Sequence, residues 1–253
     1  MDIKMIVTDL DGTLLRSDKT VSEYTIRVFR RAQELGMLVA FATARDFRFV
    51  TEHIMPLSGI EPDIIIADNG ALARYKGNDL YKRLIPAETT NTLLSRFELV
   101  RCTSTEKAYY LSNDYSNDHW SIGKKATIIV DSIGDLEDDA LYVDGNVYKS
   151  SESITVGIPN VRAVTYSDVS LVTVVHLEAS KLNALVAVKT ALNIKDCNIA
   201  VFGDDFSDIE MLSSFTNSIA VANAIDEVKS VADFICDTND NDGVAKWLEE
   251  NVL

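Results

Sequence analysis

The chain has 253 residues, 47% of them hydrophobic, enough for one large core or for a core with a smaller second domain. A formal net charge of -15 argues against nonspecific nucleic-acid binding, which needs basic surface, and no apolar run approaches the roughly 18 residues that span a bilayer. Cys102, Cys197 and Cys236 are widely spaced and lack a CxxC pair, so neither a disulfide framework nor a zinc site is expected, and a soluble cytoplasmic protein is.

Taken in order, "KMIVTD" (4–9) reads as a strand. It lacks a cleavage-site pattern and runs directly into "DLDG", which makes it a core strand rather than a secretion signal. "SEYTIRVFRRAQELG" (22–36) reads as a helix with Ser22 as N-cap and Gly36 as its stop. "MLVAFAT" (37–43) is the next strand, a short helix lies around 46–55, and "PDIIIAD" (62–68) is a third strand. "ALARYKGNDLYKRL" forms a hairpin turning on "KGND". Shorter, more polar pieces follow, among them "KAYYLSNDYSNDHW", "KATIIVDSIG" and "ALYVDGNVYKS". Residues 86–172 therefore read as an inserted domain, and 1–85 with 173–253 as a discontinuous core. The strand–helix alternation returns with a helix over 180–194 and a strand over 198–204. A helix over 208–215, a strand over 218–223, a helix over 225–233, a strand over 234–237 and a closing helix over 242–252 complete it. Near-continuous Val/Ile/Leu strands between helices predict an α/β fold, a doubly wound, mostly parallel sheet covered on both faces.

Three apolar strands end in polar residues: Asp9, Thr43 and Asp204. Open parallel sheets bind ligands just beyond the carboxyl ends of their strands, near the point where strand order reverses. Asp9, Asp11, Asp204, Asp205 and Asp208 would then crowd into one small volume. Buried carboxylates need a compensating partner, and a hard, oxygen-loving cation suits such a set, Mg²⁺ best. One Asp-x-Asp pair is a weak signal, commonly a turn or cap; "DLDGT" after a buried strand together with "GDDFSD" after a second one is a strong one.

Together "DLDGTLL", "FATAR", Ser180-Lys181 and "GDDFSDIEML" resemble the four ordered motifs of the haloacid dehalogenase superfamily of phosphohydrolases. "NGA" at 69–71, "VANAIDEVKSVADFI" and "NDNDGVAKWL" are similar to its Cof-like branch. The resemblance covers the core, about two thirds of the chain. It implies a Rossmann-like core with an inserted α+β cap, and a phosphomonoester hydrolase in which Asp9 attacks phosphorus and becomes an aspartyl phosphate. Asp11 is the implied general acid and base. Mg²⁺ is implied as cofactor, held by the Asp9 and Asp204 carboxylates and the Asp11 backbone carbonyl, with Asp208 in support. Gly12 allows the tight turn, Thr43 hydrogen-bonds a phosphoryl oxygen, and Lys181 neutralises developing charge. Thr43 has a plainer reading as a strand-end hydroxyl that caps the helix behind it. Arg45 is a second phosphate contact or pairs with an acid; Asn69 faces substrate or forms an Asn-Gly turn. The chain departs from the branch at Asp205, where glycine is usual, and at Ser207, a substrate-side position where asparagine is usual. Both bear on substrate affinity and choice.

Residues 86–172 carry seven Lys/Arg and thirteen Asp/Glu, a net charge of -6. An acidic cap suits a small monophosphate ester such as a sugar phosphate better than a bisphosphate or nucleic acid. Tyr115, His119 and Trp120 either stack on a sugar or belong to the cap's own core. His53 and His176 lack a matching ligand set and read as structural. Two alternatives stand beside the phosphatase. One is a hexose-phosphate mutase on the same fold, which needs a second phosphate site. The other is a catalytically silent phosphate-binding module, for which Asp11's proton shuttle would be superfluous.

Overall fold

The run Met-Ile-Val-Thr of β1 (Met5–Thr8) is buried at every position in the computed structural model, which describes residues 1–113, 127–146, 151–167 and 171–253. Such a strand needs neighbours on both edges and cover on both faces. The remaining strands of the first segment are β2 (Leu38–Ala42), β3 (Ile64–Ala67), β4 (Leu72–Tyr75) and β5 (Asn78–Lys82). The middle of the chain supplies β6 (Leu99–Thr105), β7 (Tyr109–Ser112), β8 (Thr127–Val130), β9 (Ala140–Asn146), β10 (Val161–Thr165) and β11 (Val172–His176). The last segment adds β12 (Ile199–Gly203), β13 (Ser218–Ala220) and β14 (Phe234–Ile235).

One unit comprises Met1–Tyr81 with Ser180–Leu253. Its sheet runs β14-β13-β12-β1-β2-β3-β4-β5. All pairs from β14 to β3 are parallel, and β4 joins β3 antiparallel. Strand order reverses where β1 meets β12, so the residues after these two strands flank the switch point at which such sheets bind ligands. Helix α1 (Glu23–Glu34) begins at Ser22, whose side chain accepts from the Thr25 N–H, and the chain leaves it through Gly36 at a φ of +86°. Its Val28, Phe29 and Ala32 join the sheet's core, as do Trp247 and Leu248 of the C-terminal helix Gly243–Asn251 that packs beside it. A second group is formed by Lys181–Ala191, Ile209–Leu212 and Asp226–Val231, which supply Ala184, Leu185, Val188, Met211, Leu212 and Val228. Two helix groups on one mostly parallel sheet make a doubly wound α/β unit. The expected helix over 208–215 is a single turn, because a 3-10 turn over Phe206–Asp208 precedes it.

The other unit, Lys82–Ala179, has a sheet in the order β10-β11-β9-β6-β7-β8, antiparallel except between β7 and β8. Its core gathers Ile85, Leu93, Phe97, Val143, Ile154, Val161, Val172 and Val174. The expected limits of 86 and 172 move outward to 82 and 179. The expected limit at 172 leaves most of Val172–His176 in the core, whereas this strand pairs with β9 and β10. Tyr115, His119 and Trp120 lie outside the described residues. No described helix is long and apolar enough to cross a membrane.

Candidate active site

Asp9 continues the ladder one residue past β1, its N–H donating to the Phe202 carbonyl at 3.0 Å, and only 6% of the residue is exposed. Asp204 follows β12 directly, on the other side of the switch point. Asp208 closes the one-turn Phe206–Asp208 helix, and its Oδ2 accepts from the Asp204 and Asp205 N–H groups at 3.0 and 3.2 Å. Asp205 returns the favour by capping the Asp208 N–H, a reciprocal capping box. The carboxylate that departs from the branch pattern thus has a local duty at a helix start. Ser207 lies half-buried in the same turn.

Lys181 opens the helix Lys181–Ala191, whose N-cap is Ser180. A cation in a helix's first turn opposes the macrodipole at a cost of about 0.3–1 kcal/mol, so the helix does not explain it. The acids do. Lys181 Nζ donates to Asp9 Oδ1 and to Asp208 Oδ1, both at 2.7 Å, with its side chain only 2% exposed. Burial alone would lower its pKa; Asp208 and Asp9 hold it well above the ordinary lysine value.

Oxygens of Asp9, Asp204 and Asp208 lie within 4.8 Å of one another. Burial drives the Asp9 pKa up to about 7, with Lys181 opposing and Asp208 adding to the rise. Asp204 rises to about 9, from burial first and then from Asp9 and Asp208. Three carboxylates against one ammonium are undercompensated, and an all-oxygen anionic set fits a hard divalent cation such as Mg²⁺. A consequence follows for stability. Carboxylates whose native pKa exceeds the ordinary 3.8 leave the native state holding more protons than the unfolded chain between about pH 4 and 9. Stability of the metal-free protein is therefore expected to fall as pH rises through that window, by up to about 1.4 kcal/mol per pH unit for each proton concerned. Saturating Mg²⁺ should flatten the slope, because it binds the ionised set. Thermal melts from pH 5 to 9 with EDTA and with Mg²⁺ test this; equal slopes in the two would contradict it.

Asp11 occupies a different setting. Its carboxylate is gripped by the Arg45 fork, with Nε on Oδ2 and Nη2 on Oδ1 at 2.7 Å, and by Lys19 Nζ on Oδ1 at 2.8 Å. Burial raises its pKa, but the two cations prevail and hold it at about 2. Arg45 thus pairs with an acid, the plainer of its two readings, while its guanidinium also lies 4.8 Å above the Phe49 ring. Lys19 was missed by sequence reasoning. Its one signal is local: it takes a φ of +67°, costly for a lysine, in the turn closed by its N–H on the Arg16 carbonyl. Thr43 is buried, and its hydroxyl oxygen accepts from the Arg45 N–H at 3.1 Å, the strand-end capping role.

Gly12 adopts a φ of +80°, and a Cβ there would stand 2.2 Å from Asp204 Oδ2. Gly12→Ala is expected to displace Asp204 and lower kcat/KM by about 10²-fold or more, the cost of ångström-scale misplacement. Wild-type turnover by this variant would show that the close approach is dispensable. Thr13, also missed, donates to Asp204 Oδ1 at 2.7 Å. Asn69 is 3% exposed at a φ of +55° in the Asp68–Gly70 turn, whose glycine packs directly on the Ser180–Lys181 backbone. The positive φ and the turn are the features that the Asn-Gly turn reading expects. His176 Nδ1 accepts from the Glu178 N–H at 3.1 Å, and His53 packs 5.0 Å from Phe49, both structural contacts.

The sequence model for haloacid dehalogenase-like hydrolases matches residues 6–248. Two Bacillus subtilis (strain 168) relatives named as 5-amino-6-(5-phospho-D-ribitylamino)uracil phosphatases, YitU and YcsE, are each 27% identical. The first alignment covers 97% of this chain and 96% of YitU; the second covers 100% and 97% of YcsE. A solved B. subtilis haloacid dehalogenase-like hydrolase, 26% identical, superposes with a TM-score of 0.82 over 99% of this chain and 100% of its own. A solved sugar phosphatase of subclass IIB, at 21% identity, shares the fold with a TM-score of 0.81 over 98% of both chains.

Proposed function

The chain belongs to the haloacid dehalogenase-like hydrolases and is a phosphatase, and from that membership we propose a Mg²⁺-dependent phosphomonoesterase that works through an aspartyl phosphate on Asp9. The convergence of Asp9, Asp204, Asp208 and Lys181 at the sheet's switch point carries this reading. In the first step an Asp9 oxygen attacks phosphorus, the bond from phosphorus to the ester oxygen breaks, and the leaving alkoxide takes a proton from the Asp11 carboxyl. In the second step Asp11, now a carboxylate, takes a proton from water. The resulting hydroxide attacks phosphorus, the Asp9–phosphorus bond breaks, and inorganic phosphate departs with Asp9 restored.

The Asp9 and Asp204 carboxylates and the Asp11 backbone carbonyl would hold Mg²⁺, which would supply charge stabilisation at the phosphoryl oxygens. Asp208 has its oxygens engaged by Lys181 and two backbone N–H groups, which suits support of the site. Lys181 orients the nucleophile by holding Asp9 Oδ1, and Asp9 stays ionised beside it and the cation. The Asp11 grip by Arg45 and Lys19 corresponds to the base form needed in the second step. Incoming phosphoryl oxygens compete for these same cations, and their transfer to substrate lets Asp11 keep a proton for the first step. Thr43 would add a hydroxyl donor to a phosphoryl oxygen.

We further read Lys82–Ala179 as the cap that governs substrate choice. Its acidic sequence favours small esters with one phosphate, sugar phosphates and sugar-alcohol phosphates among them. The ribityl phosphate ester in the names of two relatives is of this kind. Phosphate release should be measured across sugar phosphates, ribityl phosphate esters, nucleotides and bisphosphates, with and without Mg²⁺. Mg²⁺-dependent release, strongest with small single-phosphate sugar esters, is expected. No release by folded, Mg²⁺-supplied protein would favour the mutase or the silent binder.

A further inference from the structure

Two late motifs, "VANA" and "NDND", contribute no group to the chemistry above, yet each sends an asparagine back to the turn that carries Asp11. Asn223 Nδ2 donates to the Gly12 carbonyl at 2.7 Å. Asn223 Oδ1 accepts the Asn239 N–H at 2.9 Å, and Asn239 Nδ2 donates to the Leu15 carbonyl at 2.9 Å. Asn239 is buried, whereas Asn223 is exposed. Segments more than 200 residues apart in sequence thus form one clasp on the 12–15 loop.

The clasp has something to restrain. Gly12 is the most adjustable residue of the turn, and rotation about it redirects its own carbonyl and the Asp11–Gly12 peptide before it. On one side Thr13 ties the loop to Asp204. On the other, the Leu15 N–H closes on the Leu10 carbonyl. Neither bond holds the Gly12 carbonyl; the Asn223 amide does.

We propose that Asn223, braced by Asn239, is a positioning residue that sets the Asp11–Gly12 turn for divalent-cation binding. This rests on the reading that the Asp11 carbonyl is a Mg²⁺ ligand. Loss of the amide donor frees the Gly12 carbonyl, and with it the Asp11–Gly12 peptide, to turn. Partners that orient metal ligands change affinity by about 10- to 100-fold when removed.

The test is titration calorimetry with Mg²⁺ on the full chain, comparing wild type, Asn223→Ala and Asn223→Asp, beside melts of the metal-free proteins. Asn223→Asp keeps the acceptor for the Asn239 N–H but cannot donate to Gly12. Its added negative charge would by itself strengthen cation binding. The Mg²⁺ Kd is expected to rise about 10-fold or more in both variants, with little change in metal-free Tm because Asn223 is exposed. A wild-type Kd in either variant, whatever its Tm, overturns the proposal and leaves Asn223 a loop-stabilising residue. Absence of Mg²⁺ binding by wild type overturns the metal reading itself, and the inference with it.

Discussion

Asp9→Asn is expected to abolish phosphomonoester turnover while leaving the protein folded and, without metal, at least as stable as wild type. Activity should fall by roughly four orders of magnitude or more, the scale on which loss of a nucleophile acts in covalent enzymes. An amide cannot form the acyl phosphate, and no described neighbour stands in its place: Asp208 is engaged by Lys181 and by backbone N–H groups, and Asp204 by Thr13. The stability side follows from crowding. Asp9 sits at about 7 because burial and Asp208 disfavour its charge. Replacing it by a neutral isostere removes a buried charge that Asp208 repels, so the metal-free Tm at pH 8 should hold or rise. Kinetics on the best ester with a melt on the same preparation decide the matter. Activity within tenfold of wild type would remove Asp9 from the role of nucleophile.

Lys181→Met should act in the opposite sense on stability. The ammonium is the shared partner of Asp9 and Asp208 at 2.7 Å each, inside a site with almost no solvent. Removing one member of a buried ion-pair network costs about 3–5 kcal/mol, because the remaining charges are left uncompensated. In a unit of this size that corresponds to roughly 10 °C in Tm. The loss should be largest at pH 8 without metal. It should shrink at pH 5, where the carboxylates accept protons, and with Mg²⁺. Turnover should fall by about 10²- to 10³-fold, as for loss of one charge-stabilising group. A variant as stable as wild type in EDTA at pH 8 would contradict the buried network.

These contrasts show which parts of the molecule are legible in sequence. β1 and the carboxylates that follow it are, because an apolar run with acids at its end has few physical solutions. Asp204 and Asp208 are legible for the same reason once β12 is recognised. Ser22 and Gly36 mark the ends of α1 by local chemistry, and both mark them in the structure. Lys19 is not legible, because a lysine in a polar turn looks like solvated surface until the fold brings Asp11 to its Nζ. Asn223 and Asn239 stand out only as motif residues, since their bonds to Gly12 and Leu15 span more than 200 positions. The inserted unit's end at Ala179 was hidden by Val172–His176, whose composition suits either sheet.

The most direct measurement traps the intermediate. During turnover of the best ester, the protein is quenched and reduced with borohydride, which converts an aspartyl phosphate to homoserine, and the peptide holding Asp9 and Asp11 is sequenced by mass spectrometry. Homoserine is expected at position 9 with aspartate retained at position 11, and no homoserine at either position in Asp9→Asn. Reduction at another aspartate, or none while phosphate release proceeds and a known aspartyl-phosphate enzyme is trapped in parallel, would contradict it.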